Sequence, residues 1–165
     1  PIQMQRSTDM PDLSEFQITR RWPAKQPDRI QLYSLATPNG VKISIMLEET
    51  GLAYEAHKIA LATDDQLTPE FMSLNPNNKI PAIIEPDGPG GKPLALFESG
   101  AILVYVAEKT GRFLSEDPAT RYESIQWLMF QMGGVGLMFG QFGSVFKFTA
   151  DKITDSYPTV RCMIE

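Results

Sequence analysis

The chain has 165 residues, of which 42% are hydrophobic and 21% charged, a composition that fits one globular domain, or one small domain joined to part of another. Fifteen Lys and Arg against twenty Asp and Glu leave a formal charge of −5, so no sequence-wide basic field exists to hold nucleic acid or anionic lipid. A single cysteine, Cys162, and a single histidine, His57, exclude an internal disulfide and a histidine-rich metal centre, and the fold must rest on packed side chains.

Residues 1–29 carry Arg6, Arg20, Arg21, Lys25 and Arg29 among Asp, Gln, Ser and four prolines, without an apolar run long enough for a secretory signal. A cytoplasmic location is expected. The composition of this N-terminal extension predicts a mobile tail; the competing reading is an arm packed on a partner through Phe16, Ile18 and Trp22. Ile30 to Ser34 then reads as a strand, followed by Thr37-Pro38-Asn39-Gly40, with Thr37 as N-cap and Pro38 at the first helical position. The helix runs to Gly51, a left-handed stop, with Val41, Ile45 and Leu52 near one face. Tyr54 to Ile59 returns as a second strand. These elements make a βαβ unit, whose right-handed crossover sets the two strands parallel.

From Ala60 to Asn78 the text is polar and broken, and at most one short helix fits, near Pro69 to Leu74. Ala82 to Glu85 and Leu94 to Phe97 are short strands on either side of the dense turn Pro86 to Lys92, which makes them a hairpin. Glu98-Ser99-Gly100 opens a helix from Ala101 to about Lys109, stopped by Gly111. Asp117-Pro118 starts another, long helix with Tyr122, Ile125, Leu128, Met129 and Met132 on helical spacing. The fold class expected is α/β plus all-α: a β-α-β-β-β-α domain over residues 30–111 and a helical segment over 117–165. The charge-free stretch from Trp127 to Phe146 has the length of a membrane span, but its glutamines and five glycines between Gly133 and Gly143 fit a buried helix better. No membrane partner is expected.

Three places have the chemistry of a site. Thr37-Pro38-Asn39-Gly40 lies where a strand's carboxyl end meets a helix N-terminus, and its N–H groups with the Thr37 hydroxyl suit an anion such as a thiolate. Ordinary capping explains the same residues. Ile80-Pro81 precedes a strand, where a cis bond would turn the Ile80 backbone outward to pair with an extended peptide. Glu98-Ser99 heads a helix, so that Ser99 and the helix N–H groups suit a carboxylate while Glu98 accepts from an ammonium. Together the last pair describe an amino-acid head group, with a capping serine beside a surface glutamate as the plain alternative. Cys162 lies outside any CxxC pair and reads as a passive thiol, His57 as a satisfied or surface residue, and the Gly88 to Gly91 turn lacks the Lys-Ser or Lys-Thr of a phosphate loop.

Taken in order, Thr37-Pro38-Asn39-Gly40 after the first strand, Asn75-Pro76-Asn77-Asn78-Lys79-Ile80-Pro81-Ala82, and Phe97-Glu98-Ser99-Gly100-Ala101-Ile102 closely resemble the glutathione transferase family, and most of all its bacterial nu class of disulfide-bond reductases. The resemblance runs from about Ile30 to Glu165. It implies a thioredoxin-like N-terminal domain with Pro81 cis, the first part of a helical C-terminal domain from near Pro118, and a homodimer built on the helices after Ser99 and Pro118. Glutathione, reduced or as its disulfide, is the implied co-substrate. Thr37 and Asn39 would lie near its sulfur, the backbone of Ile80 against its cysteinyl part, and Glu98 and Ser99 at its γ-glutamyl end. Gln66 and Lys79 match contacts to the glycyl end or a second glutathione, and Arg161 matches an arginine that reaches into the partner subunit's site. The family continues through several further helices beyond that arginine, so the resemblance implies a chain that stops short. The activity implied is reduction of small disulfides by thiol exchange on bound glutathione, without an enzyme cysteine. Conjugation of glutathione to electrophiles, and a non-catalytic dimerising or regulatory module, are the alternatives.

Overall fold

The computed structural model describes residues 11–143. The chain falls into two compact units that part between Phe113 and Leu114. In the first, the order is β1 (Ile30–Ser34), α1 (Pro38–Thr50), β2 (Tyr54–Lys58), α2 (Pro69–Leu74), β3 (Ala82–Glu85), β4 (Leu94–Phe97) and α3 (Ser99–Thr110). The strands make one thioredoxin-like sheet in the order β2-β1-β3-β4. β1 runs parallel to β2 and antiparallel to β3, and β3 pairs antiparallel with β4, so the βαβ unit and the hairpin stand as the sequence predicts.

Short strands that alternate in facing supply both layers of the core. Tyr33, Ala82 and Ile84 meet Phe71 and Leu74 of α2 on one side. Ile30, Leu32 and Ile83 are buried on the other, the side of α1 and α3, which pack together and bury Ile43, Leu47, Ile102 and Val106. The helix ends follow local chemistry. Thr37 and Thr68 cap α1 and α2 through hydroxyls that accept the Gly40 and Phe71 N–H groups, and Gly51 and Gly111 end α1 and α3 at φ of 72° and 63°, the left-handed region in which glycine meets no Cβ penalty. Helix α3 begins two residues ahead of its predicted start at Ala101, because the Ile102 N–H already bonds the Glu98 carbonyl. Between β2 and α2, one-turn 3-10 segments at Leu61–Thr63 and Asp65–Leu67 fill the broken stretch.

The reading of the leader as a mobile tail is overturned for residues 11–29. Leu13 and Ile18 are buried in the Tyr33, Phe71 and Leu74 cluster, with Phe16, Trp22 and Ala24 packed against it, so this segment is an arm laid on its own domain. Its polar composition misled because five apolar side chains, Leu13, Phe16, Ile18, Trp22 and Ala24, suffice to hold it on the cluster. Hydrogen bonds fix its course: the N–H groups of Lys25 and Gln26 donate to the Glu55 carboxylate at 2.7–3.1 Å.

The second unit holds α4 (Pro118–Phe130), a π-helical stretch Gln131–Val135 and α5 (Gly136–Gly143). Asp117 is the expected N-cap and accepts the Thr120 N–H at 2.9 Å. A Cβ on Gly136 would stand 2.9 Å from the Gln131 carbonyl oxygen, so the wide turn depends on glycine at its exit. The expected burial of this helix is not found: Trp127 is 59% exposed, Phe139 73%, and no residue of α4 or α5 is buried. A lone rod of helix offers water most of its circumference unless other elements of its unit surround it, and none does among the described residues. No helix among the described residues is long and apolar enough to cross a membrane.

Candidate functional site

Sheet register decides where the three candidate segments meet. Tyr33 stands opposite Ala82, and Ala82 opposite Phe97. The chain therefore leaves β1 toward Thr37, enters β3 from Ile80-Pro81 and leaves β4 into Glu98-Ser99 along one margin of the sheet. Residues distant in sequence become neighbours there because β1 and β3 run in opposite directions and the hairpin reverses the chain once more.

At the β1 exit, Thr37 is the N-cap of α1 in extended conformation. Its hydroxyl oxygen accepts the Gly40 N–H at 3.3 Å and its carbonyl accepts the Val41 N–H at 2.8 Å. An accepted bond occupies a lone pair and leaves the O–H as a donor. Pro38 has no N–H, so the remaining first-turn amide, that of Asn39, joins the Thr37 O–H at the positive end of the helix. Gly40 makes this tight entry possible: a Cβ there would lie 2.0 Å from the Leu35 carbonyl oxygen and 2.4 Å from Ser34 Oγ.

At the entry to β3, the Ile80-Pro81 peptide is cis. The loop before it is held by Asn75, which is 1% exposed, donates from Nδ2 to the Lys79 carbonyl and accepts the Asn77 N–H on Oδ1. Lys79 is exposed and Ile80 half-buried. Gln66 lies on the turn before α2; its Nε2 donates to Asp64 at 3.4 Å, and its carbonyl oxygen is buried without a hydrogen-bond partner among the described residues. At the β4 exit, Glu98 adopts φ 71° and ψ 114°, a conformation that L side chains rarely take and that is concentrated at functional sites. It directs the chain so that Ser99, 3% exposed, opens α3.

Lys42 was not legible as a site residue. It lies one turn beyond Asn39 on α1, and burial lowers its pKa while the Glu98 carboxylate raises it, which puts an ammonium within the electrostatic reach of Glu98. Helical spacing from Asn39 was the available signal, yet a lysine on a helix surface is ordinary. Asn75 stood in the sequence as the start of the motif that runs to Ala82, but its part in holding that loop was not foreseen, although Asn-Pro is a turn signal with this kind of side-chain bond. The described residues bring together Thr37, Asn39, Ile80, Pro81, Glu98 and Ser99, with Gln66 and Lys79 on the segment that leads into β3. Arg161 and Cys162 lie outside the described residues.

Residues 29–108 match the model of the glutathione S-transferase N-terminal domain. The disulfide-bond oxidoreductase YfcG of Escherichia coli (strain K12) is 53% identical over 113 residues, 68% of this chain and 53% of that protein. A glutathione transferase of Burkholderia graminis, crystallised with two glutathione molecules per subunit, superposes with a TM-score of 0.89 at 65% identity, over 94% of this chain and 65% of that one. One from Pseudomonas putida, with one glutathione disulfide per subunit, gives 0.86 at 65% identity, over 93% and 66%. The chain thus spans about half of the oxidoreductase and just under two thirds of each transferase structure. Residues 29–108 are thus a glutathione S-transferase N-terminal domain, in a chain that over most of its length is similar to glutathione transferases.

Proposed function

We propose that the protein reduces small disulfides at the expense of glutathione. The observation that carries this is the convergence of Thr37, Ile80-Pro81 and Glu98-Ser99 on one margin of the sheet, in a chain similar to an oxidoreductase named for disulfide bonds and to structures that hold glutathione or its disulfide. Glutathione is an extended peptide with an ammonium and carboxylate at one end, a thiol in the middle and a carboxylate at the other. Glu98 accepts from the ammonium, and Ser99 with the N-terminus of α3 holds the adjacent carboxylate. The Ile80 backbone pairs with the cysteinyl part. Gln66 and Lys79 take the glycyl carboxylate or a second glutathione, and Arg161 serves the neighbouring subunit of a homodimer. A cytoplasmic setting, rich in reduced glutathione, suits this chemistry.

The Thr37 O–H and Asn39 stabilise the thiolate, which is the nucleophile. It attacks one sulfur of the substrate disulfide, forming a mixed disulfide and releasing one substrate thiolate, which takes up a proton. A second glutathione thiolate attacks the glutathione sulfur of the mixed disulfide, releasing the other substrate thiol and leaving glutathione disulfide. Two thiols are oxidised and one disulfide is reduced. No enzyme cysteine enters.

Turnover of a small dialkyl disulfide with glutathione tests the reading, with Thr37→Val and Thr37→Ser beside the parent. Serine keeps the donor and should retain most activity; valine should lose roughly tenfold to a hundredfold, the value of one hydrogen bond to a charged group. Faster turnover of a chloronitrobenzene than of the disulfide would replace reduction by conjugation. No glutathione affinity in the parent would remove both.

A further inference from the structure

We propose that Arg21, on the N-terminal arm, is a positioning residue for the glutathione site, acting through Asp65 on the segment from residue 60 to residue 80. The inference rests on the reading above, because it concerns Gln66, Lys79 and Ile80, all of which this segment carries. Arg21 Nη2 donates to Asp65 Oδ1 at 2.8 Å, between side chains 47% and 12% exposed. Asp65 spends its other oxygen on the segment itself, since Oδ2 accepts the Ala60 N–H at 2.9 Å. Its backbone continues the brace: the Asp65 N–H donates to the Ala60 carbonyl at 3.3 Å, and the Thr68 hydroxyl donates to the Asp65 carbonyl at 2.7 Å while accepting the Phe71 N–H that starts α2.

From α2 the connection reaches the other two contacts. The Asn75 N–H donates to the Phe71 carbonyl at 3.0 Å, and the Asn75 side chain holds the Lys79 carbonyl. The arm grips the same segment a second time, through apolar contact: Leu13 and Ile18 are buried against Phe71 and Leu74, with Ile80 packed on that cluster. Gln66 sits inside the brace, immediately after Asp65, with its side-chain amide oxygen buried, so a shift of the turn carries this residue with it. The pair bonds one Arg21 nitrogen to a carboxylate that is itself locked by a backbone amide, which gives it an orienting role that a pair of loose surface side chains lacks.

Arg21→Met removes the brace and Asp65→Asn keeps an acceptor for Ala60 while removing the charge. Each should weaken glutathione binding roughly threefold to tenfold by titration calorimetry, raise KM for glutathione by the same factor and leave kcat at saturating glutathione within about twofold. Arg21→Lys should recover part of the loss, and the double variant should lose no more than the larger single loss, because both remove one interaction. Amide hydrogen exchange should quicken over residues 60–80 in Arg21→Met and stay unchanged in β1 and β3. Parent binding with unchanged affinity in both single variants overturns this inference alone, and so do additive losses in the double variant or faster exchange across the whole sheet. Failure of the parent itself to bind glutathione overturns the functional reading and this inference with it.

Discussion

The one histidine shows how a residue's surroundings choose its chemistry. His57 stands opposite Tyr33 across the parallel pair of strands and stacks on its ring at 4.6 Å. Gln31 donates from Nε2 to the carbonyls of Gln26 and Arg29 at 2.9 and 2.8 Å, which orients its amide oxygen toward His57 Nε2 at 2.8 Å. That nitrogen must therefore carry the proton. Burial lowers the His57 pKa, the Glu55 carboxylate opposes the shift and the Lys25 ammonium of the arm adds to it; burial likewise raises that of Tyr33, whose phenol stays protonated. A histidine held neutral in the fold binds its proton more readily when unfolded, so its contribution to stability is complete above the ordinary value near 6.5 and is lost as pH falls below it. The melting temperature should fall between about pH 7 and pH 5, and His57→Gln, though less stable at every pH, should fall less steeply over that window. An equal slope in parent and variant would sink the assignment. From its place in a strand the sequence left His57 as either a satisfied or a surface residue, and Gln31 as its partner depended on a turn of the arm that composition misread as mobile.

At the scale of elements, the site's segments were legible and their supports were not. Turn and cap residues announce themselves by type, so Thr37-Pro38, Asn75-Pro76 and Glu98-Ser99 could be placed at element ends before any pairing was known. Supports are set by tertiary contact. The end of the domain remote from those motifs is an example: Glu85, the last residue of β3, is buried beside Lys109 of α3, with the ammonium 3.3 Å from Oε2. Oε2 makes no hydrogen bond, so that contact is a Coulombic pair; Oε1 accepts the Asp87 N–H at 3.0 Å and Lys109 donates to the Asp87 carbonyl at 2.8 Å. Burial and the charges of Glu85 and Asp87 push the Tyr105 pKa up to about 12. This cluster fastens the C-terminal turn of α3 to the hairpin. Lys109→Met should cost about 3 kcal/mol in denaturant unfolding, because it leaves a carboxylate buried without its counter-charge. Glu85→Gln with Lys109→Met should recover more than half of that loss, and a double variant as unstable as the single one would show that packing, not charge, holds the turn.

For the molecule as a whole, charge and apolar exposure oppose each other. The formal charge of −5 opposes non-specific association at neutral pH, while Ile45 of α1 is 55% exposed, Phe113 61%, and Trp127 and Phe139 stand out from the second unit. Sequence pattern placed Ile45 on an apolar helix face and read the stretch from Trp127 as a buried helix, because helical periodicity identifies an apolar face without showing what lies against it. Repulsion fades as pH approaches the isoelectric point near 4.9, and the same surfaces then meet without an opposing field. Light scattering at fixed protein concentration should therefore rise as pH falls toward about 5. Ile45→Ser with Phe139→Ser leaves the net charge as it is, so the pH at which scattering begins should stay in place while its amplitude drops by roughly half or more. Were the amplitude unchanged, association would belong to the loss of charge alone; were the onset to move with it, the two substitutions would have altered the titration of the fold and not only its surface.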